Sequence, residues 1–553
     1  MTLSRRAFHL GALSIAASTA LASRGFAQSP RALDAAIGAI RAYGDAHLRH
    51  FSLPGMTLGL TAPGGFATVL DFGFADMASR RPVRPDSLFQ IGSITKLMTA
   101  ALIHQLAGEG RLRLGDRVSD LIAGVPLPTG SAITVQQLID HVAGLPSDAP
   151  LFPAGGLWTA YEPGRQWHYS NTGYEILGLI AQRAGGKPFA QLIEERILRP
   201  LGMDRSRGAI IAEDRLLYAQ GYAPADGSSY FARGAALAPA AWIDETSGAG
   251  SVGSTAEDMI LLLRSIADAA QGRGGLGLPP EAAKVFTTHA VQTDTPAMRY
   301  GNGLMHVAEG GRSYLHHTGG MVGFSSSFHV DVASGAGAFA SANIGFGAEY
   351  RPRLLTRFAV DVLTAALAGR PLQPPPPLAV ALANAQAYVG RYAGPAGSFE
   401  VRAGSPLTII ADGQAAELQP WGGELFRTLH PRFRRFSLLF ERSGAAVTRA
   451  HWGPSTFVRQ GTASSPLAPR NAELARLAGR YVNDNPWLGT SWVVERSGRL
   501  WLGTEVPLTP LGGGLWRIGE KAWSPERGSF ANFIDGRPQT FLFSGQTFQR
   551  RDV

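Results

Sequence analysis

Phe89-Gln90-Ile91-Gly92-Ser93-Ile94-Thr95-Lys96-Leu97-Met98 is the stretch on which the reading of this chain turns. It reads as a short strand running into a helix, with Ser93 at the turn and Lys96 three residues on. That spacing stacks the two side chains on one helical face. A serine at a helix N-terminus meets unpaired N–H groups and the positive end of the dipole, which favour a developing oxyanion. A free hydroxyl is a poor nucleophile and needs a base beside it. Lysine serves when burial lowers its pKa. The plainer alternative is a helix cap followed by a surface lysine. Lysine usage weighs against it. The chain has four lysines, Lys96, Lys187, Lys284 and Lys521, and none of the other three has a serine three residues upstream. Arginine, preferred elsewhere in the chain, cannot give up its proton.

Composition sets the frame. A chain of 553 residues is too long for one core, so about two to four domains are expected. Hydrophobic content of 45% with 17% charged residues is globular rather than disordered. The net charge of +9 is spread without a long basic run, and no nucleic-acid motif is present. The densest basic patch, Arg432-Phe433-Arg434-Arg435-Phe436, reads as an alternating, solvated strand. With no cysteine, disulfides, thiolate chemistry and cysteine metal sites are excluded. The 13 histidines show no metal-ligand spacing. His316 and His317 are neighbours, which on a strand point to opposite faces. No metal and no cofactor are expected.

Ser4-Arg5-Arg6-Ala7-Phe8-His9-Leu10 resembles a twin-arginine export signal. An apolar run from about Leu10 to Ala22 and the small-residue site Gly25-Phe26-Ala27 follow; a Sec-type signal is the alternative. Either way residues 1–27 are expected to be a removed signal peptide. The mature chain is then periplasmic or secreted, without stable membrane insertion.

Beyond it, 29–49 has helical periodicity, and Met56–Leu60 and Ala67–Phe72 read as antiparallel strands. Leu112–Ile122 and Thr134–His141 read as short helices, with His141 a structural residue bonding free carbonyls at a helix end. Tyr169-Ser170-Asn171 sits in a loop before an amphipathic helix. Tyr169 and Asn171 project to the same side of an extended loop. A phenol can pass a proton, and an amide can orient a substrate; a core tyrosine and a turn asparagine are the alternative. Ser247–Gly253 is a small-residue turn. Strands are expected at 300–306, 313–317, 325–330 and 337–343, and a closing helix at 351–367. This predicts an α+β unit over 28–368: an antiparallel sheet packed by helices, with an inserted helical lobe. Pro374–Pro377 reads as a stiff linker (369–377). Past it short strands and glycine turns dominate, and Gly390-Arg391-Tyr392 recurs as Gly479-Arg480-Tyr481. Two small antiparallel β-barrels, 378–465 and 471–553, are the simplest reading.

Ser93-Ile94-Thr95-Lys96, Tyr169-Ser170-Asn171 and His317-Thr318-Gly319, in that order and spacing, resemble the penicillin-recognising serine hydrolases. These are the class C β-lactamases, D,D-peptidases, related esterases and D-aminopeptidases. The likeness runs from about Ala35 to Leu367, and Glu162-Pro163-Gly164 and Leu138-Ile139-Asp140-His141 strengthen it. A β-lactamase-like domain followed by two barrels looks most like the D-aminopeptidase arrangement, in which the barrels are lipocalin-like. The resemblance implies Ser93 as nucleophile, Lys96 and Tyr169 sharing proton transfers, and Asn171, His317 and Thr318 binding substrate. It places the N–H groups of Ser93 and Gly320 in an oxyanion hole. It also implies a small-molecule or short-peptide substrate, cleaved as an amide or ester through an acyl-serine. A carboxylesterase, a weak β-lactamase or D,D-peptidase, and a penicillin- or wall-binding module are the alternatives. Histidine stands at 317 where many β-lactamases carry lysine, which weakens capture of a substrate carboxylate. In the D-aminopeptidase arrangement a barrel loop reaches the active site; Asn483-Asp484-Asn485-Pro486 is the candidate, with Asp484 placed to meet a substrate ammonium, and an ordinary surface turn is the favoured alternative. The oligomeric state is open.

Overall fold

Strand β1 (Gly55–Thr61) is buried along its whole length, so it needs cover on both faces. In the computed structural model, which describes residues 30–225, 231–348 and 350–551, helices supply that cover. The expected signal peptide, residues 1–27, lies outside the described residues. With β1 run β2 (Ala67–Asp76), β3 (Arg81–Pro82), β4 (Val291–Gln292), β5 (Met298–Gly301), β6 (Leu304–Glu309), β7 (Arg312–Met321), β8 (Phe324–Asp331) and β9 (Gly337–Ala342). They form one antiparallel sheet in the order β3-β2-β1-β9-β8-β7-β6-β5-β4. The two chain-distant halves meet where Met56 pairs with Ala342.

Helices α1 (Pro30–Phe51) and α5 (Arg353–Leu367) cover one face, with Ile40, Tyr43, Leu58, Phe358 and Leu363 in a shared apolar cluster. The other face takes α4 (Ala256–Ala270), whose Met259 and Leu263 pack with Phe328 and Phe339. Gly59 permits the close approach, since a Cβ there would stand 2.8 Å from the Ala256 carbonyl oxygen. Between β3 and β4 lies the helical lobe, built on α2 (Thr95–Gly108) and α3 (Asn171–Gly185). Among the described residues no helix is long and apolar enough to cross a membrane.

After α5 the chain runs irregularly through Pro374–Pro377, where Tyr43 Oη donates to the Pro376 carbonyl at 2.9 Å. Two closed eight-stranded antiparallel barrels follow, the first from Gly390 to Arg459 and the second from Gly479 to Arg550. The repeat has a physical basis. Tyr392 and Tyr481 are both buried, and each donates its hydroxyl to the carbonyl four residues back, Tyr388 at 2.8 Å and Leu477 at 2.7 Å. Phe399, Phe426, Phe440 and Phe457 fill the first barrel, and Phe541 and Phe548 lie in the core of the second.

Three local expectations are corrected. Helix in 112–122 is confined to Val118–Leu121, because Asp116 accepts from the Arg113 N–H and closes a turn instead. The patch Arg432–Phe436 is a turn, not a strand: Phe433 and Phe436 are both buried, while Arg432 donates to the Ser398 carbonyl and Arg435 lies over Trp492. His141 accepts from the Ser170 N–H at 3.1 Å rather than donating to a helix-end carbonyl.

Candidate active site

Ser93 sits in a single 3-10 turn, Gly92–Ile94, that leads into α2. The strand before it, Phe89–Gln90, pairs with Gly253–Ser254, which ties the turn to the small-residue loop at 247–252. Glycines let the turn press on β7. A Cβ on Gly319 would stand 1.8 Å from the Ile91 carbonyl oxygen. One on Gly92, whose φ is +53°, would stand 2.5 Å from that of Gly320. This contact brings Gly320 to the wall of the cleft into which Ser93 opens.

One helical turn on, Lys96 is fully buried. Its Nζ lies 3.1 Å from Ser93 Oγ, 2.7 Å from Asn171 Oδ1 and 2.8 Å from the Ala249 carbonyl. Asn171 Nδ2 donates to Asp148 Oδ1 at 2.7 Å, which fixes its amide with oxygen toward the lysine. Burial pushes the Lys96 amine down to about 7, against the carboxylates of Asp148, Glu245 and Glu175, which pull it up. A neutral amine has two N–H donors and one lone pair. Asn171 Oδ1 and the Ala249 carbonyl can only accept, so they take the donors. The lone pair is left for the Ser93 hydroxyl.

Tyr169 is hydrogen-bonded to Ser93, and burial raises its phenol well above the ordinary value. It therefore stays protonated. Its ring lies 4.9 Å from Lys96 Nζ and 4.3 Å from the His141 ring. Asn171 is the first residue of α3, and Ser170 caps that helix by accepting from the Gly173 N–H.

His317 is buried on β7, and its Nδ1–H donates to the Thr318 carbonyl at 2.6 Å. Burial, reinforced by Lys96, pushes it down to about 3, so it carries no positive charge near neutral pH. Its neighbour His316 points to the opposite face and stacks on His329 at 4.6 Å. The cleft is lined by Ser93, Asn171 and Gly320 but not by His317 or Thr318. Lys96, fully buried, and Tyr169 are not part of its lining either.

Sequence reasoning missed much of the wall. Asp148, Glu175 and Glu245 line the cleft, and so do Asn485, Trp487 and Gln546 of the second barrel. Glu175 follows Asn171 by one turn of α3, a spacing that was readable as one face. Burial and the neighbouring Glu245 and Asp148 push its carboxyl up to about 7. The barrel residues carry no local signal, since they arrive from more than 300 positions away. Trp487 Nε1 donates to Asp148 Oδ1 at 3.3 Å. The loop 483–486 does reach the cleft through Asn485, but Asp484 is exposed and outside the lining, which corrects the expected ammonium contact. Among the described residues no group of three or more His, Cys, Asp or Glu could hold a metal ion.

This geometry belongs to a known class. The family model described as Beta-lactamase matches residues 39–360. The chain belongs to the beta-lactamase family, the penicillin-recognising serine hydrolases. It is similar to penicillin-binding protein 4* of Bacillus subtilis (strain 168), 33% identical over 155 residues covering 25% of this chain and 34% of that protein. It is also similar to the D-alanyl-D-alanine-carboxypeptidase/endopeptidase AmpH of Escherichia coli (strain K12), 34% identical over 178 residues covering 25% of this chain and 45% of that protein. These matches thus span between a third and a half of those relatives' length. In fold it resembles the octameric penicillin-binding protein homologue from Pyrococcus abyssi, with TM-score 0.55 and 21% identity over 77% of this chain and 98% of that one. It also resembles the D-amino acid amidase from Ochrobactrum anthropi SV3, with TM-score 0.50 and 24% identity over 60% of this chain and 99% of that one.

Proposed function

We propose that this protein is an exported serine hydrolase that cleaves small amides or esters through an acyl-Ser93 intermediate. The reading is carried by the lysine amine, near pKa 7, whose free lone pair faces the Ser93 hydroxyl. Neutral Lys96 takes the hydroxyl proton as Oγ attacks the carbonyl carbon. The N–H groups of Ser93 and Gly320 receive the oxyanion; one such donor is typically worth about 3 kcal/mol of barrier. Tyr169 passes its phenolic proton to the leaving group and is reprotonated from the Lys96 ammonium, so the Ser93 proton ends on the leaving group and both residues are reset. Water then releases the acid. With Oδ1 on Lys96 and one Nδ2–H on Asp148, Asn171 holds the base, and from the cleft wall its second Nδ2–H can meet a substrate.

The finer reading is an amide or peptide with a free amine next to the scissile bond, with a D-residue as the first candidate. Asp148 and Glu245, joined by Glu175 as it ionises around pH 7, give the cleft a negative wall that favours an ammonium. A neutral His317 offers no cation to the carboxylate of a β-lactam. The twin-arginine-like residues 4–10 support export to the periplasm or medium.

Turnover of D-alanine p-nitroanilide, its L-form, its N-acetylated form, p-nitrophenyl acetate and a chromogenic cephalosporin tests this reading. A charge-assisted contact is worth about 1.5–3 kcal/mol, so the free amine should exceed the N-acetyl form in kcat/KM by about 10- to 100-fold. Glu175→Gln should lower that preference. Equal rates on both would discard the amine reading, and cephalosporin as the best substrate would favour the β-lactamase alternative.

A further inference from the structure

The second barrel does more than wall the cleft. Glu526, the residue just before its sixth strand (Arg527–Ile534), reaches the catalytic region. Its Oε1 accepts from the Ser147 N–H at 2.7 Å and from His168 Nε2 at 2.9 Å. The side chains of His168 and Glu526 are only 19% and 15% exposed, so this ion-pair geometry is shielded from water. Burial pushes the Glu526 carboxyl up, but hydrogen bonds from His168, Ser544 and Ser147 outweigh it and hold the group below its ordinary value. It is a carboxylate at neutral pH.

Ser147 is the junction. Its Oγ donates to the Tyr169 carbonyl at 3.1 Å. Its own carbonyl accepts from the Asn171 N–H at 2.8 Å and the Thr172 N–H at 3.2 Å. The grip therefore closes on both sides of the Tyr169-Ser170-Asn171 segment, which carries the proton donor and the amide that holds Lys96. The segment is a loop leading into the first turn of α3, without a ladder of its own. Its register depends on such contacts.

We propose that Glu526 is a positioning residue: the second barrel, through this carboxylate and Ser147, sets Tyr169 and Asn171 against Ser93 and Lys96. The inference rests on the serine-hydrolase reading above. It makes the barrel part of the chemical step rather than a specificity appendage alone.

The test uses the full chain and a fluorophosphonate. Ser93 Oγ bonds phosphorus, fluoride leaves, and intact mass follows the adduct. A displacement of about 1 Å in such a constellation costs on the order of 100-fold, so Glu526→Ala should label at least tenfold more slowly. With p-nitrophenyl acetate its loss should fall on kcat, with KM little changed. Glu526→Gln keeps the acceptor oxygen and should stay within about threefold of wild type. Trp158→Phe removes a different bond across the same interface, from Trp158 Nε1 to the Pro525 carbonyl at 2.8 Å, and should label normally. Should Glu526→Ala fail to fold, Ser147→Ala carries the test. It keeps the backbone bond to the barrel, cuts the link to Tyr169, and should be slowed as well.

A folded Glu526→Ala or Ser147→Ala that labels as fast as wild type overturns the inference alone. So does a Glu526→Gln as slow as Glu526→Ala, or a Trp158→Phe slowed equally. A wild type left unlabelled at Ser93 overturns the hydrolase reading, and this inference with it.

Discussion

Lys96→Arg is expected to lower kcat by about 10²- to 10⁴-fold, the range for loss of a positioned general base. Arginine keeps the positive charge and can still donate to Asn171 Oδ1 and the Ala249 carbonyl. It cannot offer a lone pair to Ser93 at any accessible pH. The substitution thus separates a base from a structural cation. A cation needed only for stability would leave most of the activity in place. Because the site is fully buried, the variant is checked by near-UV circular dichroism before its kinetics are read. Ser93→Ala should lose activity outright and take no acyl or phosphonyl group.

Gly319→Ala is expected to be the most damaging single methyl in the catalytic region. The new Cβ would stand 1.8 Å from the Ile91 carbonyl oxygen, and the backbones that carry the two atoms cannot move far. Ile91 donates its N–H to the Val252 carbonyl, and Gly319 pairs with Ser326 in the middle of the sheet. Overpacking typically costs about 1–3 kcal/mol, and a backbone clash this close belongs at the upper end of that range. Denaturant unfolding should shift accordingly, and any folded fraction should be inactive, because Gly320 would be driven away from Ser93. Gly108→Ala is the control: a Cβ there meets nothing within 4 Å, and a glycine in a helix costs about 0.5–1 kcal/mol relative to alanine. That variant should be as stable as wild type or more so. A Gly319→Ala protein with wild-type stability and activity would mean that the turn and β7 are not pressed together.

The parts of the site legible in the sequence are those whose chemistry is local. Ser93 and Lys96 share one turn, and Tyr169 and Asn171 share one loop, so residue type and spacing carry the information. Lys96 stood out because the chain otherwise avoids lysine. The sheet and the barrels were legible through strand periodicity and the recurring Gly-Arg-Tyr. What was hidden depends on long-range packing. Nothing near Asp148 announces that Trp487 and Gln546 will close over it, and nothing near Glu526 announces His168. Arg432–Phe436 misled because burial of two rings in a turn gives the same alternation as a strand. Asp484 was the natural ammonium partner by charge, yet the loop turns Asn485 to the cleft, and the negative wall comes from α3 and the loops at 148 and 245.

The pH dependence of Ser93 labelling by a neutral fluorophosphonate tests the central claim most directly. The Lys96 amine is held near 7, so it is a base above that pH and an ammonium below it. The labelling rate should fall about tenfold for each pH unit below the midpoint and level off above it. Glu175 pulls that pKa up only while it is ionised, so Glu175→Gln should move the midpoint slightly to lower pH and leave the limb in place. A rate that does not change between pH 5 and 9, or an adduct on the Ser93→Ala chain, would contradict a buried neutral lysine activating this serine.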